Sequence, residues 1–112
     1  MAASRICGLD ELETNQAVKV DIDGVSIALV KDAAGEVFAI GDTCTHGDIS
    51  LAEGFVEGDT LECWAHGSKF SLTSGRPLTL PAYQPVPVFT VTVEGGDVYV
   101  DPTPVPASEL PA

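Results

Sequence analysis

The stretch Val18-Lys19-Val20-Asp21-Ile22-Asp23-Gly24-Val25-Ser26-Ile27-Ala28-Leu29-Val30-Lys31 decides the fold class. Val18, Val20 and Ile22 alternate with Lys19, Asp21 and Asp23, the period of a strand with one apolar face. Asp23-Gly24 is a dipeptide favoured in two-residue hairpin turns, where both central positions need a positive φ. Val25 to Lys31 is then the return strand, and its unbroken Ile27-Ala28-Leu29-Val30 run predicts burial on both faces.

The pattern repeats on either side. Asp32-Ala33-Ala34-Gly35 reads as a turn and Glu36 to Ile40 as a third strand. Thr60 to Cys63, Lys69 to Leu72, Val86 to Val93 and Val98 to Val100 read as further strands. Gly58-Asp59, Thr73-Ser74-Gly75 and Gly95-Gly96-Asp97 supply turns. Short strands with Gly-centred turns predict an all-β sandwich or small barrel. Leu9 to Thr14, with Asp10 near its start, is the one place for a turn or two of helix. From Asp101 onward the chain carries Pro102, Pro104, Pro106 and Pro111, which predicts an extended tail outside any sheet ladder.

With 112 residues, 45% hydrophobic and 20% charged, the chain suits one domain, since two halves could not each bury a useful core. The expected division is a domain over residues 1–101 and a Pro-rich tail over 102–112. Asp plus Glu number 17 against 5 Lys plus Arg, a formal net charge of −12. That field repels phosphate backbones and anionic headgroups, so neither nucleic acid nor a membrane is an expected partner. Apolar runs such as Ile27–Val30 fall far short of the roughly 20 residues a bilayer span needs. Met1 to Cys7 lacks the apolar stretch of a signal peptide, so the expected location is cytoplasmic. Nothing in the sequence demands more than a monomer.

Cys44-Thr45-His46 and Cys63-Trp64-Ala65-His66 carry the chemistry, with sixteen residues between His46 and Cys63. Gly41, Gly47 and Gly67 bound the two short segments. Three cysteines in all argue against a disulfide framework, and Cys7, between Ile6 and Gly8 near a strand end, reads as an inert thiol. Two thiolates and two imidazoles suit either tetrahedral zinc or a [2Fe–2S] cluster with both Cys on one iron and both His on the other. Zinc knuckles usually pair like with like. Mixed Cys/His knuckles suit the cluster, each segment giving one ligand to each iron.

The sequence resembles the Rieske family. The likeness lies in Cys44-Thr45-His46-Gly47, in Cys63-Trp64-Ala65-His66-Gly67, and in Leu80-Pro81-Ala82, which resembles the family's proline loop. It extends from about Val18 to Val100. It implies an antiparallel β-sandwich with a small cluster-binding subdomain, at about residues 42–82, and one Rieske-type [2Fe–2S] cluster. Cys44 and Cys63 would hold the inner iron, and His46 and His66 the outer, more exposed one. The family's respiratory branch carries a membrane anchor and a disulfide bracing the ligand loops; the positions for those cysteines are Ile49 and Ala65 here. Its oxygenase subunits need further histidines, and this chain has only His46 and His66. Nitrite-reductase small subunits often lack ligands that are all present here.

What remains is a likeness to soluble Rieske-type ferredoxins, the ferredoxin components of multicomponent Rieske oxygenase systems. That implies a one-electron carrier with no substrate turnover, passing electrons from an NAD(P)H-dependent flavin reductase to a terminal oxygenase such as an aromatic-ring hydroxylating dioxygenase. Two alternatives stand beside it. Cys63 to Ser68 and Pro85-Val86-Pro87-Val88 are similar to small Rieske proteins of iron–sulfur cluster assembly systems. A zinc-stabilised interaction module is the other.

In high-potential relatives a serine two residues after the second histidine and a tyrosine four after it donate hydrogen bonds that stabilise the reduced cluster. Ser68 fills the first place and Phe70 the second. Asp42, Asp48, Glu53, Glu57, Asp59 and Glu62 add negative charge that opposes reduction. Together these predict a potential at the low end of the Rieske range, around −150 mV. The same acids could form a docking face for a basic partner, assisting transient association. Trp64 and Phe70 are expected to pack as shielding beside the ligands, and Lys69 and Arg76 to balance local acids.

Overall fold

A computed structural model describes residues 3–43, 50–64, 67–78 and 85–106. The strands are β1 (Ser4–Gly8), β2 (Gln16–Ile22), β3 (Val25–Lys31), β4 (Val37–Gly41), β5 (Phe55–Glu57), β6 (Thr60–Glu62), β7 (Lys69–Ser71), β8 (Val88–Glu94) and β9 (Asp97–Pro104). They form two antiparallel sheets. One has six strands in the order β1-β9-β8-β4-β3-β2; the other has three, β5-β6-β7.

The β2–β3 hairpin forms as its sequence predicts, pairing Ile22 with Val25 across a turn in which Asp23 (φ 51°) and Gly24 (φ 82°) are both left-handed. Ile27, Ala28, Leu29 and Val30 are all fully buried, and the two-residue period divides them between two cores. Ile27 and Leu29 join Leu12, Ile22, Ala39, Phe89, Val98 and Val100. With Ile6 and Val91 packed against it, this core draws on all six strands, so the large sheet must curl around it. Ala28 and Val30 face the other way, joining Ile40 and Val88 against Leu51, Leu61, Cys63 and Phe70 of the small-sheet region. Burying each Leu, Ile or Val contributes roughly 1.5–3 kcal/mol, so the second core fixes the small sheet on the outside of the large one. The fold is the expected all-β antiparallel sandwich with a small appended sheet.

Three local expectations are revised. Leu9 to Thr14 gives only a single 3-10 turn, Leu9–Glu11, with Glu11 Oε2 accepting the Gly8 N–H at 2.8 Å. β1 and β5 are strands that the pattern did not mark out. And Pro102 and Pro104 do lie within a strand. β1 stops pairing at Ser4–Val100, which leaves the rest of β9 as an edge. Val105 donates to the Val88 carbonyl at 2.8 Å, so Pro104, one residue earlier, turns its donorless nitrogen to the open side.

Candidate metal centre

The first motif sits where β4 leaves the large sheet. Cys44 and His46 lie outside the described residues, but the chain on either side of them is clamped. Thr43 and Ser50 pair in an antiparallel bridge. Asp42, 2% exposed, acts at three points: its N–H donates to the Ser26 carbonyl at 3.1 Å, its carbonyl accepts from Leu51 N at 2.6 Å, and its Oδ1 accepts from Ala52 N at 3.0 Å. This carboxylate, read from the sequence as one of several acids opposing reduction, is also a buried acceptor tying the two ends of the segment together. Removing a partner strands a buried N–H, at about 1–3 kcal/mol. An Asp42→Ala protein is therefore expected to unfold in urea with stability lowered by about that amount, and Asp42→Asn, which keeps an acceptor oxygen, with less.

The second motif caps the β6–β7 hairpin. Its ladder pairs Leu61 with Phe70 and Glu62 with Lys69, then continues through Cys63, whose N–H donates to the Ser68 carbonyl at 2.7 Å. Gly67, at φ +74°, donates to the Cys63 carbonyl at 2.9 Å and closes the turn. Cys63 is fully buried with Leu51, Leu61 and Phe70, a free thiol at the base of the hairpin loop. His66 lies outside the described residues. Ser68 and Phe70 are also fully buried.

Gly54 joins the two motifs. A Cβ there would run into the Glu62 carbonyl, so only glycine lets the chain leaving the first motif lie directly against β6. The segment with Leu80-Pro81-Ala82 lies outside the described residues, yet its flanks are fixed near the same hairpin. Leu78 N–H donates to the Lys69 carbonyl at 2.6 Å, and Val86 N–H to the Gly75 carbonyl at 2.8 Å. Leu78 thus begins this segment beside Lys69, at the end of the small sheet where the second motif turns, and Val86 ends it beside Gly75, near Ser71 at the other end.

No group of three metal donors occurs among the described residues, because three of the four expected ligands fall outside them. What is described fits a thiolate-bound metal group: a free, buried sulfur at a closed turn, with no other cysteine beside it among the described residues. Cys7, on β1, packs against the other core, where burial first and then the Glu11 carboxylate push its thiol pKa up. That supports its reading as inert.

Around the hairpin, Glu57 and Lys69 form an ion pair at 2.9 Å, and that hydrogen bond raises the lysine pKa. Glu53, Glu57 and Asp59 are exposed as expected, and Glu62 partly so. Asp48 is outside the described residues. Phe70 packs as expected, but Trp64 is 51% exposed and shields little. Phe55 and Leu78, also exposed here, carried no sequence signal.

Residues 3–90 match the family model of the Rieske [2Fe-2S] domain. The biphenyl 2,3-dioxygenase ferredoxin component of Rhodococcus jostii (strain RHA1) is 40% identical over 101 residues, covering 90% of this chain and 94% of that one. The 3-phenylpropionate/cinnamic acid dioxygenase ferredoxin subunit of Escherichia coli (strain K12) is 41% identical over 96 residues, 85% of this chain and 89% of its own. Among solved structures, the ferredoxin of carbazole 1,9a-dioxygenase from Nocardioides aromaticivorans IC177 superposes with a TM-score of 0.87 at 30% identity, over 92% of this chain and all of that one. A chain of a complex of reduced oxygenase and oxidized ferredoxin in carbazole 1,9a-dioxygenase does so with 0.86 at 33%, over 92% and 95%.

Proposed function

The chain belongs to the Rieske [2Fe–2S] domain family, and from that premise we propose that it is a one-electron carrier, the ferredoxin component of an oxygenase system. The observation that carries this is the likeness over nine-tenths of the chain to a dioxygenase ferredoxin component, together with the complete Cys/His set of this chain. Cys44 and Cys63 hold the inner iron of one [2Fe–2S] cluster and His46 and His66 the outer. Bound there, the cluster supplies a centre that accepts and returns a single electron.

The chain's own residues hold that centre still. Backbone bonds from Cys63 to Ser68 and from Gly67 to Cys63 fix the second ligand turn, and Asp42 with the Thr43–Ser50 bridge fixes the first. Burial of Cys63 keeps water from the sulfur. Fixed flanks and a dry Cys63 sulfur limit how far the surroundings shift between oxidation states, which suits electron transfer. Fully buried Phe70 brings no hydroxyl to this core, supporting a potential near the low end, around −150 mV.

The carrier takes its electron from an NAD(P)H-dependent flavin reductase and gives it to a terminal oxygenase, through transient contacts assisted by its negative charge. Ferredoxin complexed with oxygenase in the carbazole system supports the second contact. Relatives named for dioxygenase systems favour that acceptor over a cluster-assembly partner. It works as a cytoplasmic monomer, with residues 42–82 as the cluster-binding part of a domain that β9 carries on to Pro104.

A redox titration followed by low-temperature electron paramagnetic resonance tests the reading. The expected result is a one-electron signal of low average g with a midpoint around −150 mV. A colourless protein with one zinc and no sulfide would overturn it in favour of the zinc module.

A further inference from the structure

Among the described residues, five large apolar side chains are exposed, and three of them gather on one surface: Phe55 at 60%, Leu78 at 56% and Trp64 at 51%. Their positions follow from the register of the small sheet. Phe55 pairs with Glu62 and Glu62 with Lys69, while Leu78 N–H reaches the Lys69 carbonyl. Side chains directly opposite across a ladder share a face. Leu61 and Phe70, the alternate positions, are fully buried, so Phe55, Glu62, Lys69 and Leu78 form a row on the outer face. At about 4.8 Å per strand the row spans about 14 Å. Trp64, two residues beyond Glu62, extends it toward the ligand turn, immediately past Cys63.

The surroundings of the row are acidic. Glu53, Glu57, Asp59 and Glu62 lie on the small sheet and the turns beside it. Against them stand Arg76 and Lys69, and Lys69 is already held by Glu57 at 2.9 Å. Two large apolar side chains end the row. The charges between them, Glu62 and Lys69, are opposite in sign and directly paired across the ladder. The row therefore carries apolar anchors and little net charge, the composition of an interface centre. The acid rim sets the sign of the complement.

We infer that this face of the small sheet is the docking surface for the electron-accepting protein, which presents an apolar recess rimmed by lysine and arginine. The inference rests on the carrier reading above. A partner seated on Phe55 and Leu78 lies over Glu62 and Trp64, the two residues that flank Cys63, and so against the hairpin that carries the second ligand pair. The acid rim steers the encounter, and the apolar anchors set how long it lasts.

The test uses the whole reduced protein and ferricytochrome c as the probe, a basic acceptor with an exposed haem edge. One electron leaves the carrier and converts one ferric haem to ferrous, read by stopped-flow absorbance. The wild-type rate is expected to fall as salt is added. A Phe55→Ser, Leu78→Ser double variant is expected to lose about tenfold in second-order rate, with iron content and midpoint potential unchanged. Val18→Ser and Val93→Ser, which remove the other two exposed apolar side chains, are expected to stay within about twofold. An unchanged rate in the double variant, or equal losses at Val18 and Val93, overturns the surface while leaving the carrier reading intact. A wild-type protein without iron and sulfide overturns both.

Discussion

Replacing Cys63 by alanine is expected to give a colourless protein, with iron and acid-labile sulfide falling from about two of each per chain to none. Alanine offers no donor, and none of the other cysteines can stand in. Cys7 lies on β1 in the other core, and under the proposed assignment Cys44 is already a ligand. The polypeptide should nonetheless fold. The hairpin around position 63 is closed by backbone bonds that the substitution leaves in place, and the core enclosed by the large sheet does not include Cys63. Far-ultraviolet circular dichroism should therefore keep its β signature. Hydrogen exchange should quicken in β5, β6 and β7, because metal binding adds its free energy to the part that holds it. Cys7→Ala is the control and should retain full iron. A Cys63→Ala protein that still carried its iron would remove this residue from the site.

What could be read in the sequence divides along one line. Where burial alone dictates pattern, the reading held: Ile27 to Val30 split between two cores as an apolar run on a two-sided strand must, and Asp23-Gly24 turned as its chemistry requires. Segments whose structure depends on a distant partner gave no such signal. β1 exists because β9 pairs with it, and β5 is three residues long with a glycine before it that only the Glu62 carbonyl explains. Pro102 and Pro104 misled because their tolerance depends on where β1 ends, which is a property of another strand. At the candidate metal centre, residue type and spacing named the ligands proposed here, but the clamp that holds their flanks gave no signal. Asp42 looks in sequence like any surface acid, and its role comes from Leu51 and Ala52 being folded back onto it. Phe55 and Leu78 are single apolar residues in unremarkable contexts, and only the register of the small sheet puts them in one row.

Exchanging His46 for cysteine has the second large expected effect, and it tests the ligand whose assignment rests on the motif alone. A neutral imidazole is replaced by a thiolate, so the bound group gains one negative charge in both oxidation states. Added negative charge raises the energy of the reduced form more than that of the oxidised form. The midpoint should therefore fall. Two histidines separate Rieske centres, at about −150 mV and above, from all-cysteine ferredoxins near −400 mV. One exchange should then lower the potential by at least about 100 mV, roughly a fiftyfold shift in the electron's equilibrium at about 59 mV per tenfold. The average g value should rise toward that of all-thiolate clusters, and iron should be retained because cysteine remains a good ligand. An unchanged potential in iron-replete protein would mean that His46 is not on the metal. In a zinc module the same exchange would be nearly silent, since zinc accepts either donor.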